Sequence, residues 1–205
     1  MSRCRAFVLT IAAVLLTGTA CSDSTTPGDG TRPPDDLNFA RLASTSPPLF
    51  NPEQSFYAVK GEDREIRISF QNLAGGEGEE FLRLRVRNAS LLSRPDGTPF
   101  AEGDSVLITV RVDDVANIVF QAEPSGLTFN PAEPAELKIH YNHADHDFNE
   151  DGAVNAFDDQ IKTQLAIWRQ ETLSDPFIRL GSVNVEGLEE INADILGFTR
   201  FAIAY

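Results

Sequence analysis

From Phe39 onward the chain consists of short apolar alternations separated by clusters of Gly, Pro, Asn and Asp, and this texture constrains the fold more than any other feature. Alternation of period two puts one face of a strand in a core and the other in water. Breaker clusters at the ends of each run turn the chain back on itself. Many short strands of this kind predict an all-β sandwich over residues 39–205.

The runs expected to be strands are 55–59, 64–71, 80–87, 105–112, 118–123, 136–141, 164–170, 177–180, 182–186, 191–195 and 198–204. In one of them Leu82, Leu84 and Val86 alternate with Arg83, Arg85 and Arg87. The arginine row could bind anions, but a solvated outer face is the better reading. Turn chemistry falls between the runs, in Lys60-Gly-Glu-Asp, Arg94-Pro-Asp-Gly, Glu102-Gly-Asp and Pro124-Ser-Gly. Ala74-Gly-Gly-Glu-Gly is too rich in glycine for the interior of an element and reads as a loop.

One stretch carries sharper chemistry. Residues 147–158 read Asp-Phe-Asn-Glu-Asp-Gly-Ala-Val-Asn-Ala-Phe-Asp. Asp147, Asn149 and Asp151 put oxygen side chains at alternate positions, Gly152 permits a sharp turn, and Asp158 closes the stretch. Ala153 would offer its backbone carbonyl and Asn155 could hold a ligating water, while Val154 could point into the core. A hard cation takes six to eight oxygens at about 2.3–2.6 Å, and a tightly wound loop with this spacing supplies them. A register begun at Asp145 fails, because Glu150 would stand where the glycine belongs. The pattern resembles EF-hand calcium loops, most closely the dockerin version, and the resemblance implies a bound Ca2+. A dockerin has two such segments and this chain has one, so the cohesin-binding role is not carried over.

After the loop, Phe157, Ile161, Leu165 and Trp168 recur at helical spacing, while Leu165 and Ile167 also alternate as in a strand. A short helix over about 156–163 followed by a strand is favoured, since such a loop launches a helix and a sandwich needs the strand. The loop then becomes an insertion between two sheet strands.

The first residues, Met-Ser-Arg-Cys-Arg, precede an apolar run over 6–16 and then Thr-Gly-Thr-Ala-Cys-Ser-Asp. Arginines before a short apolar stretch make residues 1–20 a secretory signal peptide, too short to span a bilayer. Cys21 after Ala20 resembles the lipobox of bacterial lipoproteins, in which the cysteine is lipidated; the alternative is simple cleavage and secretion. Gly18 departs from the leucine usual there. Residues 22–38 are almost free of apolar side chains and rich in breakers, and are expected to form a disordered tether. The protein is thus expected to be exported and anchored by lipid to a bacterial envelope, at the outer membrane or cell surface. Of its two cysteines, Cys4 would leave with the signal and Cys21 would carry lipid. No disulfide then braces the domain, and a bound ion is one substitute for that cross-link.

A second resemblance covers roughly residues 80–205. Pro124-Ser-Gly-Leu-Thr-Phe-Asn-Pro, Ala135-Glu-Leu-Lys-Ile-His-Tyr, Leu165-Ala-Ile-Trp and the closing Gly197-Phe-Thr-Arg-Phe-Ala-Ile-Ala-Tyr look like bacterial surface lipoproteins with an Ig-like sandwich similar to the domain of ankyrins and netrin receptors. The resemblance implies scaffolding or interaction, with a cell-surface glycan or a protein as partner. The net charge of −14 repels phosphate backbones and argues against nucleic acid.

Other constellations carry less. His140, His143 and His146 suggest a transition-metal site, yet on a strand the first two point to opposite faces; strand-end histidines are preferred, with His146 leaning on the acidic loop. Glu79-Glu80, Asp158-Asp159 and Glu189-Glu190 could be read as glycosidase acid/base pairs, but adjacent strand residues diverge. No nucleophile elbow, phosphate-cradling glycine loop or reactive cysteine is found, and no enzyme is expected. Trp168 and Tyr141 could stack on a sugar, although core positions suit them better.

Overall fold

The computed structural model describes residues 30–205; the signal peptide, Cys21 and most of the tether lie outside them. In chain order the strands are β1 (Thr31–Arg32), β2 (Glu53–Val59), β3 (Arg64–Gln71), β4 (Glu77–Val86), β5 (Leu91–Ser93), β6 (Ser105–Asp114), β7 (Val119–Glu123), β8 (Thr128–Phe129) and β9 (Ala135–His140). A helix α1 (Ala156–Lys162) follows, then β10 (Ala166–Gln170), β11 (Phe177–Arg179), β12 (Ser182–Val185), β13 (Glu190–Ile195) and β14 (Arg200–Ala204).

The strands form antiparallel sheets: seven strands in the order β1-β11-β10-β14-β7-β6-β2, five in the order β12-β13-β9-β4-β3, and the small pair β5-β8. Ile108, Val110, Phe120, Phe201 and Ile203 of the larger sheet share one buried cluster with Ile66, Ile68, Leu82, Leu84, Leu137, Ile139 and Ile191 of the smaller. Inward side chains of both sheets therefore build a common core, consistent with a β-sandwich. The connection from β9 to β10 passes from the smaller sheet to the larger, and residues 147–158 and α1 lie in that crossover.

Three features differ from the sequence-based expectation. The first is the end of the tether. Residues 30–38, expected to be without structure, are packed: Thr31 pairs with Ile178 and Arg32 with Phe177, and Leu37 is buried. The cause is a second apolar cluster, in which Leu37 and Phe39 cover Val119, Ala166, Trp168, Phe177, Ala202 and Ala204. Burying that outer patch outweighs the weak local preference of the segment. The second is β4, which begins in the glycine-rich stretch read as a loop. At Gly78 a Cβ would come within 3.0 Å of the Asn72 nitrogen and the Phe70 oxygen, so the hairpin closes there only on a glycine. The third is Val154, which is exposed and does not enter the core.

Candidate functional site

Residues 147–158 fold into a compact loop held by its own side chains. Asp147 accepts from the backbone N–H groups of Asp151 through Oδ1 (3.0 Å) and of Gly152 through Oδ2 (2.8 Å). The side-chain oxygen of Asn149 accepts from Asp151 N (3.0 Å), and Asp151 Oδ1 accepts from Ala153 N (3.0 Å). Gly152, at φ +87°, supplies the left-handed residue on which the turn depends. Asn155 caps α1: its Oδ1 accepts from Phe157 N (2.9 Å), while Asp158 Oδ2 reaches back to Asn155 N (2.8 Å). This reciprocal box starts the helix where the sequence placed it.

Hydrogen bonds link all six predicted donor residues within the loop. Asn149 Nδ2 and Asn155 Nδ2 both donate to Asp151 Oδ2, at 3.0 and 3.3 Å, and Asn155 Nδ2 also donates to the Ala153 carbonyl (2.9 Å). Both amides thus present nitrogen, not oxygen, to Asp151 and the Ala153 carbonyl. Turning the Asn149 amide over would present its oxygen in place of its nitrogen, at the cost of both its bond to Asp151 Oδ2 and the one it accepts from Asp151 N.

Asp158 is 2% exposed and forms no ion pair among the described residues. Burial raises its carboxyl pKa, but the N–H groups of Asn155, Asn149 and Phe148 more than offset this, and the net shift is below the usual value. It is therefore a buried anion stabilised only by backbone dipoles. Among the described residues, no three or more His, Cys, Asp and Glu side chains form a metal-holding group. The loop's three carboxylates, Asp147, Asp151 and Asp158, each accept from backbone N–H groups of the loop rather than forming such a group; as oxygen ligands they would suit a hard cation rather than a thiophilic one.

What fixes the loop to the fold was not legible beforehand. Phe148, an aromatic inside a polar run, is buried in the main core. Its carbonyl accepts a hydrogen bond from the Tyr205 hydroxyl, and the two rings meet edge to face at 6.3 Å. Arg41 pairs with Glu150, and Asp145 N donates to Arg41 O (2.7 Å). At the far end of α1, Lys162 Nζ lies 2.6 Å from Glu189 Oε1.

The remaining predicted groups fall into place as structure. Arg85 pairs with Asp63 (2.7 Å), Arg87 with Glu136 (3.0 Å) and Arg83 with Glu80 (3.8 Å), so the arginine row is a compensated outer face. Each histidine meets a glutamate: His140 meets Glu80 (3.4 Å) and Glu190 (3.7 Å), and His143 meets Glu79 (3.0 Å). His146 lies 3.5 Å from Glu189 and stacks on Phe148, so it meets the acidic loop through an aromatic ring and not through one of its carboxylates. The adjacent acids part company, for Glu79 turns to His143 and Glu80 to Arg67 and Arg83. Trp168 is 2% exposed with its Nε1 on the Ala204 carbonyl, and Tyr141 is fully buried, so neither offers a face to a sugar. Compared with known proteins, the chain matches no family model, no curated protein and no solved structure.

Proposed function

We propose that this chain is an exported, non-enzymatic protein held at a bacterial envelope by lipid on Cys21, with an Ig-like sandwich that carries one structural calcium ion. Asp147, Asn149, Asp151, Ala153 through its carbonyl, Asn155 and Asp158 would hold the ion, which when bound supplies positive charge that the loop itself lacks. The observation that carries the reading is the position of this acidic loop in the crossover between the two sheets, closed by a buried carboxylate with no cationic partner among the described residues. Asp147 and Asp151 orient the loop backbone, Asp158 starts α1, and Phe148 and Lys162 tie the two ends to the core and to Glu189. An ion shared by these groups would fasten one sheet to the next in a chain without disulfides.

The test is thermal unfolding of the domain with excess calcium and with chelator. If only the folded state binds, calcium at about a hundred times its dissociation constant adds about 2.7 kcal/mol. Asp147→Ala should make the two curves coincide. Superimposable curves in the unmodified chain would remove the calcium reading and leave the sandwich.

A further inference from the structure

A sizeable cleft lies away from the loop, where residues 45–48 cross the turn end of the β3–β4 hairpin. Its volume is about 570 Å³, within the roughly 300–1,000 Å³ of small-molecule sites, and its lining includes Pro47, Pro48, Phe70, Leu73, Glu79 and His143. Most of the wall is apolar. Leu73 stands fully exposed at the hairpin tip, an unusual position for a leucine with nothing to cover. Phe70 forms the buried floor, with the His143 ring edge-on at 4.5 Å.

One charged group is set into this wall. Glu79 Oε2 accepts from Asn142 Nδ2 (3.0 Å), and His143 Nε2 lies at 3.0 Å from the same oxygen. The carboxylate selects the tautomer with hydrogen on Nε2. Two fixed donors on one oxygen orient the group, and Oε1 has no hydrogen-bond partner among the described residues. No lysine or arginine lines the cleft, and among the described residues His143 is the one basic side chain that meets Glu79. By contrast Glu65, Glu80, Glu136 and Glu190 of the smaller sheet each have an arginine or lysine. The carboxylate without a lysine or arginine sits in a cleft whose walls are mostly apolar.

We infer that this cleft binds a cationic nitrogen, ammonium or guanidinium, on an apolar stem, with Oε1 of Glu79 receiving the charge and Leu73, Pro47 and Pro48 flanking the stem. The shared chemistry has two sources, a free small amine or a lysine or arginine side chain of a peptide. This goes beyond the calcium reading and does not depend on it.

The experiment is an NMR titration of the domain with n-butylammonium, Nα-acetyl-lysine amide, n-butanol and butyrate, each with calcium and with chelator. Both cations should bind saturably, with shifts centred on Glu79, His143 and Leu73; the neutral and anionic analogues should not. Tighter binding of the lysine amide than of the simple amine assigns the peptide source, and the reverse assigns the free amine. Glu79→Gln, at a side chain 68% exposed and so tolerant of change, should weaken cation binding by about threefold. Leu73→Ser should weaken it through the stem alone. The proposal is overturned if no cation binds saturably, if butyrate or butanol binds as well, or if Glu79→Gln binds like the unmodified chain. Loss of binding in chelator would equally overturn the independence of the cleft, whereas failure of the calcium melts would leave it standing.

Discussion

Phe148 is the residue on which the loop hangs. It is one of the few apolar side chains in a run of acids and amides, and the core holds it while its carbonyl rests on the Tyr205 hydroxyl. Phe148→Ala should cost about 3–5 kcal/mol in urea unfolding, the range for emptying an aromatic site in a core. The same change should weaken calcium binding, since the loop would lose its fixed end. A second residue, Tyr141, reports on burial directly. Desolvation, with a smaller push from the Glu189 charge, raises its pKa from 10.0 to about 12, against the opposing bond to Asn184. The unfolded chain ionises near pH 10 and the folded chain only near 12. The stabilising contribution of the neutral phenol is therefore complete below pH 10 and is lost as pH rises through about 12. Urea midpoints should fall across that window, and Tyr141→Phe should flatten the fall. Of these two residues, the spacing of oxygens around Phe148 was plain in the sequence and its anchoring role was not. Nothing local distinguishes an aromatic that dives into a core from one that stays out, as the exposed Phe157 nearby demonstrates.

At the scale of the element, α1 has only seven residues and depends on its cap. Isolated helices of that length do not persist in water, so the Asn155–Asp158 box and the contact of Lys162 with Glu189 must hold it. Asn155→Ala should cost about 1 kcal/mol, read as a lower urea midpoint with unchanged slope. Strands were legible in proportion to their alternation. Residues 64–71 form β3 with the ends read from the sequence, and the helix-then-strand reading of 156–170 holds, because Asn155 and Asp158 act locally to start the helix. The pair β5 and β8 was not foreseen, since strands of three and two residues are too short to alternate. The start of β4 was missed because Gly78 reads as a breaker, while in the fold it is what the close hairpin backbone requires.

At the scale of the whole molecule, export and anchoring rest on residues that precede the described structure. Cys21→Ser should move the protein from the detergent-soluble membrane fraction to the aqueous fraction, and metabolic labelling with a fatty acid should be lost with it. An unchanged distribution would leave simple cleavage after the signal as the surviving route. No helix among the described residues is long and apolar enough to cross a membrane. The sequence alone determined the β-rich class, most of the strands and the short helix with its capping box, because period-two patterning, caps and turn residues act over a few neighbours. Tertiary structure decided the rest: that Leu37 and Phe39 close a second cluster over Trp168, that Glu79 faces a cleft lined by no lysine or arginine, and that the 147–158 loop lies in the crossover between two sheets. Those outcomes depend on which distant surfaces meet, and burial free energy accrues only after they do.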